Sequence, residues 1–344
     1  MLFSLTPNLR CPSMKNPHNR LESLLLIMKK PFIIMATIGS ITFSLAWAST
    51  VLAGIETSFL YSLSNFDGPI GYNWANIAID AERNEIYIAG AGTKDVRVFN
   101  DYGMEIYRFN DDDHLISAID LAVKEDGNIF LLSRTVSGSS VLLYNFRGEY
   151  VSHLEFKNFP PDFSDFNADR LIYREGLLYL VDSNSLRIVV TDADCSFRKG
   201  YDLRPLTEPF VREKEKGSDA SMGGFSVDHD GNMLFTIPPY FLAFKLSPDR
   251  KIVAFGRPGS APGRFGIVGG IVADGSDHYY VADRLRSVVL IFDKDFNFLK
   301  EFGYRGFRSD NLMGPNDLAL DSKGRLYVSQ VRDRGVSVFQ ITYK

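Results

Sequence analysis

The chain has 344 residues with a net charge of −4, of which 45% are hydrophobic and 23% charged. This ordinary globular balance is enough for one large all-β domain. No cluster of Lys or Arg follows residue 53, and this argues against a nucleic-acid binder, which normally carries a basic patch.

Residues 1–53 differ in composition from the rest of the chain. Met28-Lys29-Lys30 precedes an uncharged apolar run at 31–47, and small residues follow at Ala46, Ala48 and Ala53. A basic start, an apolar stretch and an A-x-A site predict a secretory signal peptide at 28–53, behind an upstream extension at 1–27. An uncleaved membrane anchor is the alternative, because a span needs roughly 20 apolar residues. Either way the sequence predicts an exported protein, periplasmic or extracellular.

A short pattern recurs six times after the leader: a turn residue, often Gly, precedes an apolar-aromatic pair. The fourth positions of the copies are Tyr87, Phe130, Tyr179, Leu234, Tyr280 and Tyr327. Their spacings are 43, 49, 55, 46 and 47 residues. A period in the forties built from short strands predicts a β-propeller, here with six blades.

Apolar and polar residues alternate within each repeat, which predicts half-buried antiparallel strands, four to a blade. The fifth repeat, for example, predicts strands at 270–274, 279–283, 287–292 and 298–302. The sixth repeat ends after its third strand, whereas residues 59–63 have an outer-strand pattern and belong to no other blade. The sequence therefore predicts an all-β, six-bladed propeller over residues 57–344, closed by an N-terminal strand that joins the last blade and protects its edge.

Two stretches of the chain resemble NHL repeats. One runs from Phe302-Gly303 through Gly314-Pro315-Asn316-Asp317 to Val328, and the other joins Phe255-Gly256-Arg257 to Tyr280-Val281-Ala282-Asp283. The resemblance extends over residues 57–344 and implies a six-bladed propeller that binds a ligand or a partner. It implies no activity, because this fold hosts binding modules and several unrelated enzymes.

Three segments interrupt the regular repeat, at 158–167, 204–222 and 256–270. Long insertions in a repeat protein usually lie on one face, where they shape a binding site. A charged stretch such as 212–216 is equally well explained as a solvated loop.

Metal chemistry in the channel has two possible ligand sets. The four histidines after the leader, His114, His153, His229 and His278, are predicted in loops, turns or an outer strand, so a His-ligated metal is disfavoured. A lactonase-like propeller uses carboxylate and amide oxygens instead. Asn76, Asp169, Asn316 and Asp317 enter inner strands, and Asp182 and Asp283 end second strands. Such Asp residues also bond to backbone in the following turn, which is the structural alternative.

The candidate ligand residues lie at one mouth of the channel, where Trp74 is placed to stack on a ligand and Arg332 to form part of a positive rim. They are Trp74, Asn76, Asp169, Asp182, Asp283, Asn316, Asp317 and Arg332.

The sequence shows no nucleophile elbow, P-loop or C-x-x-C pair. The first hypothesis is a non-catalytic, monomeric module without a cofactor that binds a protein or an extended ligand. The alternative is a metal-dependent lactonase-like hydrolase or lyase, for which a channel-bound calcium or zinc stays open.

Overall fold

A computed structural model describes residues 54–71, 74–90, 93–136 and 138–344. These residues form six four-stranded antiparallel sheets. Neighbouring inner strands lie side by side, and the last lies against the first, so the sheets are blades around a central channel. The predicted leader, residues 1–53, lies outside the described residues. Within the described ranges, no helix is long and apolar enough to cross a membrane.

Each blade runs from an inner to an outer strand. The inner strands are Asn76–Asp80, Ala118–Val123, Arg170–Arg174, Gly224–Val227, Val268–Ala273 and Leu318–Leu320. The second strands are Glu85–Ala89, Ile129–Arg134, Leu177–Asp182, Met233–Ile237, Tyr279–Asp283 and Arg325–Ser329. The third strands are Asp95–Phe99, Ser139–Tyr144, Arg187–Asp192, Leu242–Leu246, Val288–Phe292 and Val336–Tyr343. The outer strands are Glu105–Asn110, Tyr150–Leu154, Phe197–Asp202, Ile252–Phe255, Phe298–Gly303 and, in blade 6, Ile55–Ser62.

The connections carry little regular structure. They contain the α-helical turn Arg204–Thr207, four 3-10 turns and a ribbon of two short strands. The 3-10 turns are Pro161–Phe163, Glu208–Phe210, Glu213–Glu215 and Pro238–Tyr240, and the ribbon pairs Ser64–Asn65 with Gly68–Pro69. The three irregular segments of the sequence all connect an outer strand to the next inner strand, so they lie on the same face of the propeller.

The hydrophobic core consists of six clusters, one between each pair of adjacent blades. In blade 1, Ile86 and Ile88 face blade 6, whereas Tyr87 faces blade 2. The prediction of half-buried strands is therefore wrong for the second strands, since a neighbouring blade covers each face. Alternating exposure does hold at the rim, as in the outer strand Ile252–Phe255.

The outer strand of blade 6 comes from the opposite end of the described chain. Ile55–Ser62 pairs antiparallel with Val336–Tyr343, with Ile55 opposite Tyr343. The strand begins earlier than the predicted 59–63 because the ladder continues to Ile55. Phe59 packs edge-on against Phe339, with ring centroids 5.7 Å apart. Apolar packing thus accompanies the hydrogen bonds that join the two ends.

Polar hydrogen bonds also link every pair of adjacent blades near the start of the inner strands. Four of them use a side chain at or near the beginning of an inner strand, and two involve Gly269 or Gly270. In chain order the bridges are Asn76 Nδ2 to Ile119 O, Leu171 N to Asp120 Oδ2 (2.9 Å), Arg170 Nη2 to Gly223 O (3.1 Å), Thr236 Oγ1 to Gly269 O (2.7 Å), Gly270 N to Asn316 O (2.5 Å) and Ile77 N to Asp317 Oδ2 (3.1 Å).

Glycines allow the inner strands of blades 4, 5 and 6 to approach closely. A Cβ at Gly224 would lie 2.4 Å from the Gly269 carbonyl oxygen and 2.5 Å from the Gly270 Cα. A Cβ at Gly270 would lie 2.7 Å from the Asn316 carbonyl oxygen. These contacts are with backbone, so a larger side chain would have to push two blades apart.

We expect Gly224→Ala to lower the free energy of unfolding by about 1–3 kcal/mol, because the new methyl group overpacks a backbone contact. Gly275→Ala in the neighbouring blade is the matched control, since nothing lies within 4 Å of its Cβ position. Denaturant unfolding of both variants and the wild type measures the difference. Equal stability of the two variants would contradict the proposed close packing at the hub.

Candidate functional site

A cavity of about 530 Å³ opens at the end of the channel where the inner strands begin. We call it the mouth. Its lining is mostly polar, with Trp74, Ile119 and Met222 as the large apolar residues. The residues that line it are Trp74, Asn76, Ile119, Asp169, Arg170, Ser183, Asn184, Ser221, Met222, Arg284 and Asn316.

Four of the eight candidate residues from the sequence line this mouth: Trp74, Asn76, Asp169 and Asn316. They come together because each lies at or just before the start of an inner strand. Asp317 lies one residue further in and lines a second, inner cavity of about 200 Å³. Arg170 lines both cavities and so stands at their boundary.

The other three candidates lie elsewhere. Asp182 accepts hydrogen bonds from the Ser185 and Asn167 backbone amides. The Asp283 carboxylate, fully buried, accepts them from Gly266, Ile267 and Arg286. Both are thus engaged in the backbone turns that the structural alternative described. Arg332 is exposed in the loop that follows the second strand of blade 6, outside the mouth lining.

Two arginines that the sequence did not single out project into the mouth. Arg170 Nη2 donates to the Gly223 carbonyl oxygen at 3.1 Å, and Arg284 Nη2 approaches the same oxygen at 3.5 Å. Neither guanidinium forms an ion pair with a carboxylate of the described residues. The Arg284 Nε is buried and has no hydrogen-bond partner there. Burial, with a smaller contribution from the charge of Arg170, lowers the pKa of Arg284, and the charge of Asp317 opposes this shift. Asp120, Asp169 and Asp317 also interact electrostatically with Arg170. The mouth therefore contains two guanidinium groups whose charges are balanced only by carboxylates at a distance, without a direct ion pair.

Asn316 supplies an unused acceptor on the same side of the mouth. Its side chain is only 6% exposed, and its Oδ1 has no partner among the described residues. Its backbone is fixed, because its N–H donates to Ser329 and its carbonyl accepts from Gly270. A buried amide oxygen without a donor is unfavourable, so this atom fits a bound molecule that donates a hydrogen bond.

Trp74 forms the exposed wall of the mouth. Its side chain is 51% exposed, and the Arg284 guanidinium carbon lies 6.0 Å from the centroid of its ring. Its backbone φ of 57° lies in the left-handed region, which is unusual for a bulky residue. The indole thus offers an apolar face beside a cationic group.

Three carboxylates near the channel hold protons more tightly than ordinary aspartates. Burial raises the pKa of Asp120 to about 7; the charge of Arg170 opposes this rise and that of Asp317 adds to it. Burial also raises the pKa of Asp317, against the opposing effect of Arg170. Burial raises the pKa of Asp169 as well, although a 2.7 Å hydrogen bond from the Ser183 hydroxyl partly offsets this rise.

Sequence reasoning missed Arg170, Arg284, Asp120 and Ser183. A partial signal was the first residue after the second strand: in blades 3 and 5 this position holds the polar Ser183 and Arg284, and both line the mouth. The equivalent Gln330 of blade 6 is fully buried and bonds to the Met313 amide and the Ser337 hydroxyl instead. The sequence interpretation chose the preceding Asp182 and Asp283 instead, and these face the turn.

The histidines lie away from the mouth. His114 stacks on Tyr150 and His278 on Tyr343, and each bonds to an Asp of its own turn. Within the described ranges, the group of side chains that could hold a metal is His229, Asp230 and Asp277. It lies in turns at the opposite ends of the inner strands, and Lys245 Nζ is 3.5 Å from the Asp277 carboxylate. A nearby ammonium weakens such a group as a cation site.

Comparisons with known proteins establish the fold. Neither a family model nor a curated relative matches the sequence. A streptogramin B lyase structure matches with a TM-score of 0.58 and 11% identity, covering 84% of this chain and 98% of that one. A Bacteroides thetaiotaomicron protein of unknown function matches with a TM-score of 0.60 and 12% identity, covering 84% of this chain and 77% of that one. A luciferin-regenerating enzyme matches with a TM-score of 0.56 and 11% identity, covering 84% of this chain and 95% of that one. At these identities the likeness shows the six-bladed propeller alone.

Asp120 should make stability depend on pH. Its folded-state pKa of about 7 exceeds its ordinary 3.8, so the folded protein retains a proton that the unfolded chain loses. The free energy of unfolding of the wild type should therefore fall, relative to that of Asp120→Asn, as pH rises from about 4 to about 7, and stay level above. Denaturant unfolding across this range measures the difference, with the exposed Asp249→Asn as control. A difference between wild type and Asp120→Asn that does not change with pH would contradict it.

Proposed function

We propose that this propeller is a ligand-binding module whose mouth receives a small molecule or the end of an extended ligand, without catalysing its conversion. The observation that carries the proposal is a cavity of ligand size that holds two unsatisfied buried polar atoms, Arg284 Nε and Asn316 Oδ1. Ligand sites typically combine such volume with a few fixed polar groups and an aromatic wall. Trp74 supplies that wall.

The groups in the mouth favour binding over catalysis. A nucleophilic hydroxyl needs an adjacent base that a third group orients. Ser183 and Ser221 supply hydroxyls, and the Ser183 hydroxyl donates a hydrogen bond to Asp169. Among the described residues, however, no third side chain bonds to Asp169 to orient it as a base, and no histidine is among the lining residues. Cys195 is fully buried outside the mouth, and burial raises the pKa of its thiol to about 12.

A metal-dependent hydrolase or lyase is the alternative, since structural neighbours include a streptogramin B lyase. The oxygen ligands it would need, Asn76, Asp169 and Asn316, share the mouth with the guanidinium groups of Arg170 and Arg284. Two cations beside the ligands disfavour a divalent ion by charge repulsion. The charge of the mouth therefore favours the binding module over the metal-dependent enzyme.

Binding at the mouth can be measured through Trp74. The chain has two tryptophans, so Trp47→Phe leaves Trp74 as the single one. We expect a panel of amino acids, organic acids, sugars, nucleosides, calcium chloride and zinc chloride to contain a compound that changes Trp74 fluorescence saturably. Ser221→Tyr, which fills the mouth, should abolish that change. Ser276→Tyr, in an exposed turn at the other face, should preserve it.

Three outcomes oppose the proposal. Binding that survives Ser221→Tyr would place the site elsewhere. A response to calcium or zinc alone, with stoichiometric metal by elemental analysis, would favour the hydrolase or lyase. Turnover of a bound compound would show that the module is an enzyme.

We also propose that the protein acts outside the cytoplasm, on the evidence of the leader sequence. Expression of the full chain in a bacterial host should yield an extracytoplasmic product whose N-terminus, read by mass spectrometry, begins near residue 49 or 54. An exported product that retains residues 31–47 would favour the anchor. Retention in the cytoplasm would contradict export.

A further inference from the structure

We infer that the mouth recognises a carboxylate that carries a hydrogen-bond donor on the neighbouring atom, as in an α-hydroxy acid, an α-amino acid or the free C-terminus of a peptide. This inference rests on the proposed function of the mouth as a ligand site. It adds the chemical class of the ligand and the residues that select it.

The positive charge comes from two blades and converges on one point. Arg170 from blade 3 and Arg284 from blade 5 share the Gly223 carbonyl as acceptor. One carbonyl carries no charge that could balance two guanidinium ions, and neither forms a direct ion pair with a described carboxylate. The carboxylates that act on Arg170 from farther away, Asp120, Asp169 and Asp317, are weaker counter-charges than ordinary aspartates, because burial raises the pKa of each. Guanidinium groups bind carboxylates through charge-assisted hydrogen bonds, which are stronger than neutral ones. An anion is therefore the ligand that best compensates this pair.

The donor and the acceptor in the mouth are close enough for one small ligand. Gly269 lies between them: a Cβ there would be 2.8 Å from the Asn316 carbonyl oxygen and 3.2 Å from Arg284 Nε. Arg284 and Asn316 thus pack against the same glycine, which has no room for a side chain of its own. A carboxylate on Arg284 would place an adjacent O–H or N–H near Asn316 Oδ1, the unpartnered acceptor.

Aromatic and acidic groups in the mouth refine this selectivity. Trp74 and Met222 offer apolar surface for the body of the ligand beyond its carboxylate. Asp169 is the acidic residue of the lining, and burial raises its pKa, which lessens its repulsion of an anion. Its Oδ1 already accepts from the Ser183 hydroxyl and amide. The Asp169 carboxylate is thus already engaged in hydrogen bonds, whereas the guanidinium groups of Arg170 and Arg284 form no direct ion pair.

The test uses the full chain with Trp47→Phe and follows Trp74 fluorescence. Lactate and alanine carry both groups, propionate lacks the donor, and lactamide and alaninamide lack the carboxylate. We expect lactate or alanine to bind at least about tenfold more tightly than the matched amide, because loss of one charge-assisted hydrogen bond raises the Kd by about that factor. Lactate should also bind more tightly than propionate. Acetyl-Ala-Ala and its C-terminal amide distinguish a peptide end from a free small acid.

Arg284→Gln should weaken carboxylate binding about tenfold or more while leaving the melting temperature unchanged or higher, because it removes an unpaired buried charge. The matched control is Arg257→Gln, an exposed arginine in a loop, which should bind like the parent. A large loss of stability in Arg284→Gln would instead show a structural role. Asn316→Leu should remove the preference for lactate over propionate.

Two results would overturn the inference and can be told apart. Equal affinity for lactate and lactamide, or a response only to neutral sugars or nucleosides, would refute the carboxylate but keep the mouth as a ligand site. No saturable response to any carboxylate up to roughly 10 mM, the range of the weakest specific binding, would also refute it. If the wider compound panel is silent as well, the proposed function fails with it.

Discussion

The hydrogen bonds between neighbouring inner strands are the constraint on which the channel mouth depends. Apolar clusters hold the blades together and include inner-strand residues such as Leu121 and Leu171. Polar groups near the strand starts add hydrogen bonds across every junction. A typical hydrogen bond contributes only about 1 kcal/mol net, yet leaving such a group buried and unpaired costs more. The fold therefore requires polar residues at the hub before any ligand is considered.

This requirement divides the hub into two unlike halves. Blades 1, 2 and 3 bridge to their neighbours with the side chains of Asn76, Asp120 and Arg170. At the junctions of blade 5 with blades 4 and 6 the strands approach past glycine backbone, with no room for a Cβ at Gly224 or Gly270. The space that the glycines leave is where Arg284 extends toward Gly223 and Trp74. The asymmetry of a repeated fold thus produces one polar cavity with distinct walls.

The sequence predicts those features of this structure whose residues lie close together along the chain. The apolar-aromatic pair lies within one strand, so six copies such as Ile86-Tyr87 suffice to predict the propeller. Trp74 and Asn316 were placed at the mouth because the start of an inner strand can be counted from the repeat. Arg284 was not, because its neighbour Asp283 is also a charged residue and has a familiar role at a strand end, and the sequence does not show which of the two faces the turn. Gly223, whose carbonyl accepts from both Arg170 and Arg284, belongs to a different blade, so the spacing of the repeats does not predict these contacts.

Arg284 contributes less to holding the blades together than the other charged groups of the hub do. Asp120, Arg170 and Asp317 each bridge two blades, so replacing any of them disturbs the ring as well as the mouth. Arg284 makes one long hydrogen bond and keeps a buried Nε without a partner among the described residues. A propeller can change such a residue without loosening its blades. The charged group that the fold uses least is therefore the one that can vary with the ligand, and this separates recognition from stability within a single cavity.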